Sequence, residues 1–355
     1  MNAPADIKPL LAELAAGRIL TRSQAHAAFD CVMSGAAGDA QIGALLGMLA
    51  VRPGGPTVDE ITGAAEAMRD KVRRIEVPAE FDVVDTCGTG GDASGTFNIS
   101  TTAALIAAGA GARVVKHGNR SVTSRSGSSQ VLEALGVKLD VADDTLINCL
   151  REANICFAFA PAHHPAMKHA IGPRRELAFR TIFNLLGPLT NPAGARRQVI
   201  GVFRSDLTEP IAGVLQQLGA VHAMVVHGST LGAADTTEGG GGLDEITTTG
   251  PTRITTLQNG DITTTDLRPA DLGLPLASIA DLKVDSVEAS AAVIRDVLTG
   301  RDCPARHIAA LNAAAALVVA DRAPDLPAAL KLACESLDTA AAAAALERLI
   351  KLTNA

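Results

Sequence analysis

Apolar positions follow two different rhythms along this chain. Through residues 1–75 they recur every three to four residues, the spacing of helices that bury one face. Thr21 with Gln24, and Thr57 with Glu60, stand three apart where such patterns begin. Each pair fits a capping box, in which the hydroxyl accepts from a first-turn N–H and the longer side chain reaches back to the cap. After the second box, Ile61, Ala64, Ala65, Met68 and Val72 share one helical face. From residue 81 the rhythm changes. Short β-branched runs at 81–85, 113–116, 137–140, 155–160, 198–203 and 220–226 alternate with helical patterns at 99–112, 128–135, 143–152 and 207–218. Repeated strand–helix units predict a mainly parallel sheet covered by helices.

Residues 161–192 break the alternation with prolines and helical patterns, and read as an excursion back to the helical part. Residues 229–242, rich in Gly, Ala and Thr, read as a flexible loop. Thr-rich runs at 246–249 and 262–267 alternate like exposed antiparallel strands, and 285–300, 305–320 and 326–352 look helical. The fold class is therefore α/β: a small all-helical N-terminal domain over 1–75, joined by about 165–190, and a large α/β domain over 80–355 with a mainly parallel central sheet.

Composition narrows the function classes. The chain has 355 residues, a net charge of −7, eight Phe and no Trp or Tyr. An acidic protein without aromatic platforms lacks the basic surface and stacking partners that nucleic acid requires, so any phosphate site must be local. The six cysteines contain no C-x-x-C pair, which suggests neither a disulfide framework nor a zinc site and suits a reducing compartment. Charged residues interrupt the N-terminal apolar stretch, and no run of 18 apolar residues occurs. A soluble cytoplasmic protein without a membrane partner is expected.

Two loops carry candidate chemistry. Asp85-Thr-Cys-Gly-Thr-Gly-Gly-Asp92 follows a strand and leads to a helix start at residues 98–101. Glycines there let backbone N–H groups crowd around an oxyanion, and the helix terminus adds donors. The same glycines also fit a tight turn with no ligand. Gly88 to Ala93 satisfies a dinucleotide pattern as well, yet no Asp or Glu follows between Asp92 and Glu133 to hold a ribose, which disfavours a nicotinamide-dependent oxidoreductase. The second loop, 116–129, combines Lys116, Arg120 and Arg125 with small polar residues just after a strand. That mixture suits phosphate and ribose oxygens; without its neighbour it would be an ordinary solvated face.

Taken together, GTGGD (88–92), TFNIST (96–101), KHGNR (116–120), SGSS (126–129), the run FAPAHHPAMKHAIGPRREL with RTIFNLLGPLTNPA (159–193), HG (227–228) and LDEIT (243–247) resemble the anthranilate phosphoribosyltransferases over nearly the whole chain. The resemblance implies a Mg2+-dependent homodimer that joins anthranilate to phosphoribosyl pyrophosphate at the hinge between its domains. Gly88, Gly91, Asp92, Thr96, Asn98, Ile99, Ser100, Thr101, Lys116, His117, Gly118, Asn119, Arg120, Ser121, Val122, Thr123, Ser124 and Ser128 would surround phosphoribosyl pyrophosphate. Gly88, Asn119 and Arg174 would meet anthranilate, and Ser100, Asp244 and Glu245 would hold magnesium. The chain departs from the family pattern at Ala93 and Thr123, where Gly and Ser are more usual, and in the length of the segment before Leu243.

Displacing diphosphate from a ribose carbon places negative charge on the leaving group, which a metal and oriented donors stabilise. An aromatic amine already has a usable lone pair, so no general base is assigned. His117 reads equally as a structural histidine. His163, His164 and His169 lack metal-motif spacing and read as packing and hinge residues. A pyrimidine nucleoside phosphorylase would share the fold class, but the 159–193 run and the acidic pair speak against it.

Overall fold

Four helices open the chain: α1 (Lys8–Ala15), α2 (Arg22–Met33), α3 (Asp39–Val51) and α4 (Val58–Arg69). Both expected capping boxes form, Thr21 with Gln24 and Thr57 with Glu60. Glu60 is fully buried and also accepts from the Leu20 N–H and pairs with Arg52, so one carboxylate ties three segments of the bundle. The computed structural model describes residues 6–90, 92, 94–120, 127–230 and 242–355.

The α/β part follows as β1 (Val83–Gly88), α5 (Ile99–Gly109), β2 (Arg113–Gly118), α6 (Ser128–Leu135), α7 (Asp143–Glu152) and β3 (Ile155–Phe159). The excursion contributes α8 (Ala160–His163), α9 (Lys168–Leu177) and α10 (Phe183–Leu186). Then come β4 (Arg197–Gly201), α11 (Thr208–Gln217), β5 (His222–Ser229), β6 (Gly242–Leu243), β7 (Thr252–Gln258) and β8 (Asp261–Leu267). Helices α12 (Val287–Leu298), α13 (Pro304–Val319), α14 (Leu326–Asp338) and α15 (Ala341–Thr353) close the chain.

The strands lie in the order β3-β2-β1-β4-β5-β7-β8, with β6 also paired to β5. Strands β3, β2, β1, β4 and β5 are parallel, while β6 and β7 run antiparallel to β5, and β8 to β7. The chain moves outward from β1 through β2 to β3, then returns to place β4 on β1's other side. That reversal makes a crevice at the C-terminal ends of β1 and β4, where open α/β sheets bind ligands.

Both faces of the parallel part of the sheet are buried, which is why β1 to β5 read as apolar runs, whereas the edge strand β8 is largely exposed. Along β5, Met224 and Val226 join the cluster built on α5 and α12–α15, while Ala223 and Val225 join one built on α1–α4, α9, α10 and α11. The helical N-terminal segment thus shares its core with one face of the sheet. Helix α9 packs on α2 and α3. Among the described residues no helix is long and apolar enough to cross a membrane.

Three expectations need correction. Residues 137–140 keep their in–out alternation, with Val137 and Leu139 buried, but form no strand, because the Val137 N–H goes to Leu132 O and that of Lys138 to Thr353 Oγ1. Residues 246–249 are buried rather than exposed and bond locally: Thr247 N–H to Thr252 Oγ1, and Thr249 N–H to Thr247 Oγ1. The antiparallel strand starts only at Thr252. The stretch 326–352 is two helices, broken where Ala340 takes a left-handed conformation with φ of 57°.

Candidate active site

The crevice is floored by glycine. Gly88 ends β1 and is the register partner of Gly201, which ends β4; Gly228 lies near the end of the adjacent β5. Across these three positions runs the segment carrying Asp244 and Glu245. A Cβ on Gly88 would stand 2.3 Å from Asp244 Oδ2, one on Gly201 would stand 1.5 Å from Asp244 O, and one on Gly228 would stand 2.6 Å from Glu245 O. Only glycine allows backbone to approach backbone so closely. The acidic pair is therefore seated directly on the strand ends, and Asp244 Oδ2 accepts from the Gly90 N–H at 2.8 Å.

Beside it, Asn98 caps α5. Its Oδ1 accepts from Thr101 N–H at 2.9 Å, and its own N–H donates to Ser290 Oγ at 2.9 Å. The first turn of α5 presents Ser100 to the cleft, while Ile99 and Thr101 turn their side chains into the core, leaving only their backbone for a ligand. Thr96, before the cap, bridges to Lys283. Lys116, near the end of β2 and almost wholly buried, donates from Nζ to Thr86 O at 2.7 Å and Ser100 Oγ at 3.1 Å. One lysine thereby links the second strand, the first strand and the helix terminus.

The electrostatics are unbalanced. Fully buried Asp85 lies beneath Lys116 and accepts from the His117 N–H at 3.2 Å; burial pushes its carboxyl up. Asp244 and Glu245 are half-buried, lining a cleft deep enough for desolvation to dominate. Burial, with repulsion from Asp92 next, pushes Asp244 up to about 8; burial and the Asp244 charge push Glu245 well above the usual carboxylate range, even though Lys116 and the Ser100 backbone N–H favour its charged form. Burial pulls the Lys116 ammonium down while Asp85 and the acidic pair hold it up. Three carboxylates (Asp85, Asp244 and Glu245) thus act on a single lysine, and Asp92 adds its charge beside the acidic pair, leaving the cleft short of positive charge. Among the described residues no group of three or more His, Cys, Asp or Glu side chains converges as a ready-made metal cage.

The remaining sequence-derived residues divide. Gly118 lies against Ser128, whose Oγ a Cβ at 118 would meet at 2.4 Å, so the start of α6 faces the end of β2. Asn119 and Arg120 are exposed, and Arg120 pairs with Glu133 at 2.6 Å. His117 points away from the cleft, its Nε2 3.1 Å from His164 Nε2. Burial depresses both imidazoles, to about 3 and about 4, so they are neutral at pH 7 and serve packing. His163 bonds Arg73 O, and the His169 ring lies against Gly35. Arg174 is half-buried on the last turn of α9, with its guanidinium 5.1 Å from the Phe183 ring centre. Among the described residues no hydrogen bond or ion pair ties it to the carboxylates. Gly91, Ser121, Val122, Thr123 and Ser124, and the loop residues 231–241, lie outside the described residues.

Sequence reasoning assigned no site role to Gly201, Gly228, Asn191 or Asn312, although Gly228 and Asn191 fall within motifs that carry the resemblance. Asn191 joins Asp85 to the backbone of β2 by donating from Nδ2 to Val115 O at 2.9 Å. For the glycines the available signal was Gly201 inside the predicted strand 198–203 and Gly228 just beyond that at 220–226, since a glycine within a strand often marks close backbone approach.

A glycosyl transferase family described by its helical bundle domain matches residues 8–72, and one described by its a/b domain matches residues 80–343. The chain is 51% identical over 350 residues to the anthranilate phosphoribosyltransferase of Rhodopseudomonas palustris strain BisA53, covering 98% of both chains. It is 51% identical over 351 residues to that of Rhizobium rhizogenes, covering 99% of both. Its fold is similar to the crystal structure of anthranilate phosphoribosyltransferase from Thermus thermophilus, with a TM-score of 0.87 and 35% identity over 97% of this chain and 99% of that one. The Saccharomyces cerevisiae enzyme in complex with PRPP and Mg shares the fold at a TM-score of 0.86 and 23% identity, over 99% of each chain.

Proposed function

The chain belongs to the anthranilate phosphoribosyltransferase family, and from that premise we propose how its cleft performs the reaction. The enzyme transfers the 5-phosphoribosyl group of phosphoribosyl pyrophosphate to the amine of anthranilate, in tryptophan biosynthesis. N-(5-phosphoribosyl)anthranilate and diphosphate are the products.

The observation that carries the proposal is the charge imbalance at the glycine floor. A diphosphate could not enter beside Asp92, Asp244 and Glu245 unless cations accompanied it. The carboxylates are hard oxygen donors, and Asp244 and Glu245, whose proton affinity is raised by burial and by neighbouring negative charge, are short of a cation, so they fit Mg2+. Asp244 and Glu245, with Ser100 Oγ, would hold the metal, its other positions going to substrate and water oxygens. Bound there, Mg2+ would neutralise charge gathering on the departing diphosphate. Magnesium in the yeast relative's complex supports this reading.

The chain's own residues do the positioning. Gly88, Gly91, Asp92, Thr96, Asn98, the Ile99–Thr101 backbone and the 116–124 loop with Ser128 surround phosphoribosyl pyrophosphate. Lys116 offers its remaining N–H to a substrate oxygen while Thr86 and Ser100 fix its Nζ. Fixed donors facing the departing oxygen need no reorganisation during the reaction. Anthranilate lies toward the helical side, between Gly88, Asn119 and Arg174. Arg174 has a planar guanidinium that can grip a carboxylate in bidentate fashion, and the described residues supply it with no acidic partner. Anthranilate's amine is nucleophilic unaided, so orientation carries much of the barrier. We further propose a homodimer in the cytoplasm, where six free cysteines are in keeping.

Mixing the protein with phosphoribosyl pyrophosphate, Mg2+ and anthranilate should quench anthranilate fluorescence and release diphosphate stoichiometrically. Silence in that assay, with phosphate-dependent cleavage of a pyrimidine nucleoside instead, would overturn the assignment.

A further inference from the structure

Helix α13 is an apolar rod with one buried interruption. From Ala305 to Val319 it buries Ala, Ile, Leu and Val almost throughout, yet Asn312, 3% exposed, stands in the middle. An amide in such surroundings is costly unless its bonds are satisfied. Asn312 Oδ1 accepts from the Ile246 N–H at 2.9 Å, while Nδ2 donates to Ile246 O at 2.7 Å and to Ile308 O at 2.9 Å. The side chain grips both backbone polar groups of one residue, as a neighbouring strand would.

That residue directly follows the acidic pair. The peptide joining Glu245 to Ile246 has its N–H on Asn312 and its carbonyl oxygen pressed on Gly228, where a Cβ would come within 2.6 Å. One residue back, the Asp244 carbonyl rests on Gly201. The turn is held from one side by the strand ends and from the other by α13, which leaves the carboxyls little freedom but side-chain rotation. We propose that Asn312 is a positioning residue: its amide clamp on Ile246 sets the direction in which Asp244 and Glu245 present their oxygens to a divalent cation. The proposal rests on the reading of those two carboxylates as metal ligands. Groups that orient metal ligands typically change metal affinity about 10- to 100-fold when removed, and here the orientation passes through the backbone.

The test is binding of Mn2+ to the full-length protein with phosphoribosyl pyrophosphate present, followed by electron paramagnetic resonance, alongside Tm. Asn312→Asp keeps the acceptor for Ile246 N–H but turns an acceptor toward two carbonyls; Asn312→Leu removes the clamp at similar volume. Both should raise the Mn2+ midpoint about 10- to 100-fold, while the anthranilate KM at saturating metal stays within twofold. Leu311→Ala, a core truncation on the same helix, should lower Tm with no change in midpoint. The combined Asp244→Asn and Glu245→Gln variant should lose Mn2+ binding. If Leu does not fold at 312, Asp decides. A wild-type midpoint in the Asn312 variants, or an equal shift in Leu311→Ala, overturns the clamp and leaves the ligand reading standing. Undiminished Mn2+ binding by the double acidic variant removes the ligands and the clamp together.

Discussion

Alanine at Gly201 should cripple the enzyme through its backbone, and alanine at Gly88 should impair it through a side chain. The two glycines are register partners beneath Asp244, and neither has a positive φ, so alanine brings no dihedral strain at either. At 201 the new methyl would stand 1.5 Å from the Asp244 carbonyl oxygen and 2.3 Å from its carbon. Ordinary contact is about 3.5 Å, so the backbone of the acidic turn must retreat by roughly 1.5–2 Å, carrying both carboxylates. Asn312 resists from the opposite side. Overpacking of this kind costs about 1–3 kcal/mol of stability. A misplacement of about 1 Å costs ~100-fold in rate, equivalent to about 2.7 kcal/mol of transition-state stabilisation. At 88 the methyl meets the Asp244 carboxyl at 2.3 Å; that group can rotate away, breaking its bond to Gly90 N–H but leaving the turn in place. Steady-state kinetics over a magnesium titration, paired with calorimetric melting, separates the cases. Gly201→Ala should lower Tm and drop kcat/KM for phosphoribosyl pyrophosphate about 100-fold. Gly88→Ala should melt near wild type and require more magnesium. Wild-type kcat/KM in Gly201→Ala, at the wild-type magnesium requirement, would mean that the turn does not sit on β4 in the working enzyme.

Arg174→Ala should raise the anthranilate KM about 10- to 100-fold and leave that for phosphoribosyl pyrophosphate nearly unchanged, as loss of one charged hydrogen-bonding partner predicts; a parallel rise in both moves the role elsewhere. Asp244 ionises in the unfolded chain near its ordinary value but only around 8 when folded, so stability is lost as pH rises between those values. Without metal, Asp244→Asn should therefore melt above wild type at pH 8. Discounted for solvent on the cleft side, the gain is on the order of 1 kcal/mol, or about 2 °C, and added Mg2+ with phosphoribosyl pyrophosphate should reverse the ranking; a lower Tm in metal-free buffer refutes the imbalance. Ala178 ends α9 with φ of 53° and donates to Arg174 O at 3.4 Å. Ala178→Gly should add about 0.5–1 kcal/mol of stability and leave anthranilate kinetics unaltered, whereas a fall in Tm would show that no left-handed strain is stored there.

Much of the architecture was legible because patterning and pairing agree. Helices α6 and α7 begin and end where their apolar spacing placed them, at 128–135 and 143–152, and both capping boxes close. The failures came where a local pattern was answered by a distant partner. Residues 137–140 alternate like a strand, yet the Lys138 N–H bonds Thr353, 215 positions away, and the alternation serves packing against the end of α15. Residues 246–249 carry strand-forming threonines, but their backbone bonds locally, Thr247 N–H to the Thr252 hydroxyl and Thr249 N–H to that of Thr247, and the buried turn follows directly on the acidic pair.

The site divides by the same logic. The glycines after β1, the cap at Asn98 and the charges of the 116–120 segment are consecutive in the chain, so their chemistry shows in short motifs. Asp244 and Glu245 were identified through the resemblance, because an acidic pair alone reads as a solvated surface. What seats them is supplied by Gly88, Gly201, Gly228 and Asn312, each from a different element, and of these only Gly88 and Gly228 stand in motifs that the sequence displays. Gly201 is an unexceptional residue until Asp244 comes to rest on it, and Asn312 resembles an error in an alanine-rich helix until Ile246 occupies its bonds. Close approach and second-partner anchoring are properties of pairs, and a linear pattern displays only one member at a time. The same property explains how like charges stay together: Asp244 and Glu245 are held by backbone wedged between the strand ends and α13, which does not depend on their ionisation, so burial and then repulsion raise their proton affinity and their demand for a cation instead of dispersing them.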